Sequence, residues 1–121
     1  MKNFNKVIFS FASWPEAVKH IIIDFDEKSV EVRNCSSVMR FHAAEEEFAR
    51  FSEAVAACEP ESWSSMDSPV LEGTVWNLTL CHDGVPVKNC NGINRFPSHW
   101  DEFMKLVLPF FRKLDSCSLT F

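Results

Sequence analysis

Cys81, His82 and Cys90 are the first residues whose types suggest chemistry, because two thiols and an imidazole flank one turn. If Asp83-Gly84 is a two-residue hairpin loop, Cys81 faces Pro86 and Cys90 faces Asn77. The thiols then stand about 13 Å apart at the usual strand rise. His82 points to the face opposite Cys81. Tetrahedral zinc needs its sulfurs gathered around one ion, so these positions read as ordinary strand residues and no metal is expected. Nucleophilic catalysis needs a thiol or hydroxyl beside an oriented base. Cys58 falls on an apolar helical face, where a free cysteine behaves as a small hydrophobe. His42 lies ahead of the first helix and His99 in the first turn of the last. No Gly-x-Ser-x-Gly, His-Glu-x-x-His, phosphate loop or dinucleotide fingerprint occurs, so no catalytic residue and no cofactor are assigned.

Carboxylates occur in groups: Asp24, Asp26 and Glu27; Glu45 to Glu47; Glu59 and Glu61; Asp101 and Glu102. A catalytic pair needs one member desolvated. Asp24 and Asp26 alternate with Ile23 and Phe25, which places them on the outer face of a hairpin. Their functional reading, together with Glu27, is a negative strip that meets a basic partner. Trp14 stands beside Pro15, and Trp63 sits in a Ser-rich loop. An exposed tryptophan is a common interface anchor, so both join the partner-binding candidates, against the plainer expectation that they cap the edges of the core.

Twelve Lys and Arg against seventeen Asp and Glu give the 121-residue chain a net charge of −5 and a pI near 5.3. Nucleic-acid binders need a positive footprint, and the densest basic spots are only Lys2/Lys6 and Arg112/Lys113, so direct DNA or RNA binding is not expected. No run approaches the roughly 18 apolar residues of a membrane helix. The N-terminal stretch lacks an uninterrupted signal-peptide core, which sets a cytoplasmic expectation. Five widely spaced cysteines without a Cys-x-x-Cys fit reduced thiols rather than a disulfide framework.

These residues must be carried by a single α+β domain over 1–121. Val7, Phe9 and Phe11 alternate with Lys6, Ile8 and Ser10 as an N-terminal strand. Ile21, Ile23 and Phe25, a polar turn, then Val30 and Val32 make a first hairpin. Ala44, Phe48, Phe51, Val55 and Cys58 mark one face of a helix over 43–58, with the Glu45–Glu47 carboxylates at its positive end. Pro60 stops it, and 59–72 form the longest loop. Trp76, Leu78 and Leu80, Asp83-Gly84, then Val85 and Val87 make a second hairpin, with both valines on the face of Leu78 and Leu80. Ser98 and Asp101 resemble a capping box ahead of Trp100, Phe103, Met104, Val107, Leu108 and Phe111, a helix that Pro109 should kink or end. The alternating tail 116–121 is a candidate edge strand. Strand pairs with short turns and no βαβ units point to an antiparallel sheet of about five strands with two helices on one face.

Glu72-Gly73-Thr74-Val75-Trp76-Asn77-Leu78, Asp83-Gly84, Gly92-Ile93-Asn94-Arg95-Phe96-Pro97 and Trp100-x-x-Phe103 form a series of spaced signals. Over residues 42–111 they resemble a group of small bacterial α+β proteins. The C-terminal halves of that group read D-G-x-x-W-x-L, a D-G hairpin, then G-x-N-x-F/Y-P-x-x-W/F-x-x-F/L, with Glu72 here in place of the Asp. The group has no established activity, so the resemblance implies a fold and carries over no catalytic residue. Bottom-up, Gly92 should permit a positive φ and Asn94 should bond the loop backbone ahead of the helix.

Together these readings describe a non-enzymatic acidic binding module of inhibitor or immunity type. One form would be a phage or mobile-element inhibitor of a host defence nuclease. Its partner is a protein with a basic surface, and it is itself a monomer or homodimer. A small enzyme with an unrecognised Cys/His or carboxylate site and a structural subunit of an assembly are the alternatives.

Overall fold

The computed structural model describes residues 4–13, 16–66 and 73–118. The expected α+β architecture is what it shows, with six strands instead of five. They are β1 (Lys6–Ser13), β2 (Lys19–Asp24), β3 (Ser29–Arg33), β4 (Val38–His42), β5 (Thr74–His82) and β6 (Val85–Ile93). Two helices, α1 (Glu45–Ala57) and α2 (Trp100–Ser118), accompany them. The sheet is antiparallel in the order β4-β3-β2-β1-β5-β6, so the N-terminal strand joins the two hairpin halves at its centre. The sixth strand is β4, not the tail: residues 116–118 continue α2, and 119–121 lie outside the described residues.

Period-two patterning sets the faces. Val7 and Phe9 of β1, Ile21 and Ile23 of β2, Val30 and Val32 of β3, and Trp76, Leu78 and Leu80 of β5 all point to one side. There they meet Phe48 and Val55 of α1 and Phe103, Val107, Phe111 and Leu114 of α2 in one buried cluster. The other side carries mixed polar residues, among them Asn77, Thr79 and Asn89, with Asn89 Nδ2 donating to Asn77 Oδ1 at 3.1 Å and to Thr79 Oγ1 at 2.7 Å.

The β5–β6 hairpin turns as expected at Asp83-Gly84, with φ of 50° and 82°, the signature of a type I′ turn. Its return strand differs from expectation. A register shift between Leu80 and Cys81 leaves Leu80 opposite Lys88 and Cys81 opposite Pro86. Val85 still stands opposite His82, as a two-residue loop requires, but at the end of the hairpin it is exposed, as is Val87, and Cys90 stands opposite Leu78 instead of Asn77. Val87 is the inserted residue, between the Cys81–Pro86 and Leu80–Lys88 pairs, and every later residue of β6 is shifted by one, which brings Cys90 onto the core face.

Gly92 also has a different reason from the expected one. It does not adopt a positive φ; a Cβ there would meet Trp76 Cε2 at 2.6 Å. The strand needs glycine for room under the indole. The positive φ belongs to Gly73, at 117°, where a Cβ would meet Asn94 Cγ at 2.6 Å. Asn94 bonds backbone, but that of the start of β5 and not of the loop ahead of the helix: its Oδ1 accepts from Thr74 N–H at 2.8 Å. At the start of α2, His99 and not Ser98 is the last residue before the helix, and its carbonyl accepts from Phe103 N–H at 3.0 Å. The helix runs through Pro109 without ending.

Candidate functional site

The residues singled out in the β2–β3 hairpin converge at one end of the sheet. Asp24 closes β2, and its Oδ1 accepts from the N–H groups of Asp26 at 3.1 Å and Glu27 at 3.0 Å. This is the local bonding that makes aspartate a turn former. Lys28, at φ 54°, completes the reversal. The side chains of Asp26 and Glu27 are thereby presented to solvent at the tip.

Asn5 joins this tip to the β5–β6 turn. Its Nδ2 donates to Asp26 Oδ2 and to Asp83 Oδ1, both at 2.9 Å, while its Oδ1 accepts from Asp83 N–H at 3.0 Å. Its own backbone is fixed by Asn5 N–H to Cys81 O and Phe25 N–H to Asn5 O. Four carboxylates (Asp24, Asp26, Glu27 and Asp83) and one ammonium (Lys6) thus line a single cleft of about 210 Å³. Lys6 Nζ stands 3.8 Å from Asp24 Oδ2.

The acidic character continues onto α1. Lys28 Nζ bonds Glu45 Oε1 at 2.9 Å, tying the tip to the first turn of the helix, where Glu46 and Glu47 follow. That hydrogen bond, and the ammonium charge behind it, hold the Glu45 carboxyl below its ordinary range. No group of three or more His, Cys, Asp or Glu side chains among the described residues is arranged to hold a metal ion.

The two tryptophans part company. Trp14 lies outside the described residues. Trp63 is 1% exposed, which corrects its reading as a surface anchor. Glu59 takes a left-handed conformation after α1, a single 3-10 turn at Pro60–Ser62 follows, and the chain doubles back over the sheet. The Trp63 indole then fills the gap between sheet and α2. Its ring centroid is 5.7 Å from that of Trp76, 6.0 Å from Trp100 and 5.3 Å from Phe103, and its Nε1–H donates to Cys58 O at 3.2 Å. A Ser- and Pro-rich stretch conceals this because the anchor is a single residue.

Cys58 and Cys90 are buried in the core, and desolvation pushes both thiols above their ordinary range. Cys81 and Cys90 lie on opposite faces of the sheet, and His82 and His99 face Asp83 and Glu59 at 3.4 and 3.5 Å. Asn5 and Asp83 are the site residues that reasoning along the chain missed. Asp83 was visible only as a turn former, and Asn5 reaches it across 78 positions of sequence. Among the described residues no helix is long and apolar enough to cross a membrane. No family model matches the chain, and no curated protein matches it.

Proposed function

We propose that this protein is a non-enzymatic binding module that docks a basic surface of another protein through the acidic end of its sheet. The observation that carries this reading is the Asn5 bridge. It holds Asp26 and Asp83, carboxylates from two separate turns, side by side with Asp24 and Glu27, where Lys6 is the one cation in the cleft. Like charges so placed repel one another, and a positive partner relieves that repulsion while being steered toward it. A small acidic domain acting in this way suits an inhibitor or immunity protein. Its sharper form is a mobile-element inhibitor that covers the nucleic-acid groove of a defence nuclease, whose phosphate-binding cations supply the required surface.

The test is affinity capture of the tagged protein from its host at low and high salt, followed by titration of the recovered partner. The reading expects one stoichiometric partner with a basic surface, released by salt. It expects about tenfold or greater weakening by the combined Asp26→Asn, Glu27→Gln and Asp83→Asn variant. Asp24 is left intact because it builds the turn. Binding indifferent to both salt and the variant overturns the acidic end as the docking surface.

A further inference from the structure

Beside the acidic end, β4, α1 and α2 enclose a second cleft, of about 280 Å³, that the docking reading above does not use. Its walls are the rings of Phe41, Phe48, Phe51 and Phe110. The rings meet edge to face, with centroids 5.2 Å apart for Phe41 and Phe110 and 5.5 Å for Phe51 and Phe110. Phe41, Phe51 and Phe110 are only partly buried, so apolar ring surface faces the open cleft. Its rim is charged asymmetrically. Glu47 stands on the α1 side, two residues after Glu45, whose bond to Lys28 reaches the acidic tip. Lys113 stands on the α2 side, its Nζ 5.4 Å from the centre of the Phe41 ring.

We infer that this cleft receives an apolar anchor side chain, aromatic or leucine, carried by the same partner next to its basic residues. The inference rests on the docking reading and deepens it by naming what the partner must present. Three features select this occupant. The volume, about 280 Å³, lies just below the range for free ligands and cofactors, about 300 to 1,000 Å³, and suits a side chain entering from a larger body. Interface energy concentrates where such an anchor fills a pocket next to polar groups. The charges set the polarity: a Lys or Arg beside the anchor meets Glu47 and the carboxylates beyond it, whereas on the opposite side it would meet Lys113. The partner's motif is therefore an anchor with its cations on one flank only.

The protein, uniformly ¹⁵N-labelled and carrying ¹³C-labelled phenylalanine rings, titrated with three capped peptides and followed by NMR, tests this. The probes are acetyl-Lys-Lys-Phe-Gly-amide, the same peptide with Ala for Phe, and the same peptide with Glu for both Lys. Saturable shifts of the Phe41, Phe51 and Phe110 rings are expected with the first peptide, about tenfold tighter than with either control. Ala43 is exposed and lines the cleft, so Ala43→Trp fills the cavity from its rim without entering the core. That variant should lose the ring shifts while retaining amide shifts at Asp26 and Asp83. Shifts confined to Asp26, Glu27 and Asp83 overturn the anchor cleft and leave the acidic docking end standing. Equal ring shifts with the alanine or the glutamate peptide, or no ring shift with any, overturn it as well. The salt and charge-variant titration of the captured partner decides the docking reading separately.

Discussion

At the residue scale, single atoms decide which substitutions the chain tolerates. A methyl group at Gly92 would overlap the Trp76 indole, whose Nε1–H is already committed to Arg95 O at 2.7 Å. Gly92→Ala should therefore cost about 1–3 kcal/mol, the range for forcing atoms into a packed core. Gly84→Ala meets no neighbour within 4 Å, and its cost of about 1 kcal/mol comes from the positive φ alone. Urea titration followed by far-UV circular dichroism checks both, with the midpoint expected to fall at unchanged slope and by at least as much for Gly92→Ala as for Gly84→Ala. The thiols give a second residue-scale expectation. Burial raises Cys58 and Cys90 in the folded state, so the unfolded chain releases their protons first as pH climbs. Stability contributed by these groups is complete below the unfolded thiol value, about 8.5, and declines as pH rises beyond it. At neutral pH a thiol reagent should label exposed Cys35 quickly while Cys58 and Cys90 wait for global unfolding, and rapid native-state labelling of Cys58 or Cys90 would contradict this.

At the element scale, the antiparallel α+β arrangement was legible wherever hydrophobic period and burial coincide. Ile21, Ile23, Val30 and Val32 announce the first hairpin, and Phe103, Val107 and Phe111 announce α2. What stayed hidden has physical causes. β4 is an edge strand of five residues in which Val38, Arg40 and His42 are exposed, and with only Met39 and Phe41 packed against the core its alternation is too short to read. The bulge after Leu80 leaves no compositional mark, and it moved Cys90 from Asn77 to Leu78 and so onto the core face. In the candidate site, Asp24, Asp26 and Glu27 were legible as a charged turn. The Asn5 link to Asp83 was not, because nothing local signals a contact between a strand's leading residue and a distant hairpin. Pro109 shows tertiary packing prevailing over propensity. It cannot donate to the carbonyl four residues earlier, yet Phe111 and Leu114 beyond it are buried and hold α2 together. Since Pro109 is itself exposed, Pro109→Ala should restore that hydrogen bond and stabilise the protein by about 1–3 kcal/mol, seen as a higher denaturation midpoint at unchanged slope.

At the scale of the whole molecule, stability and binding make opposite demands on the same carboxylates. The chain carries a net −5, and Asp24, Asp26, Glu27 and Asp83 crowd one cleft with Lys6 alone among them. Such crowding destabilises the free fold by mutual repulsion and strengthens attraction to a basic surface. An Asn at 26 or 83 still offers a carbonyl oxygen to the Asn5 amide, so the Asp26→Asn, Glu27→Gln and Asp83→Asn variant keeps the bridge while removing three charges. It should be equal to or more stable than the parent by about 0.5–1 kcal/mol at low salt, with the difference shrinking as salt screens the parent's repulsion. The same variant should bind the basic partner more weakly, with a flatter salt dependence. Thermal unfolding and partner titration across one salt series measure both signs. If the variant is less stable at low salt, the carboxylates are structural ligands of the turns and their charge is not held in reserve for a partner. If it is more stable and binds less well, the acidic end is a functional surface maintained against the interest of the fold.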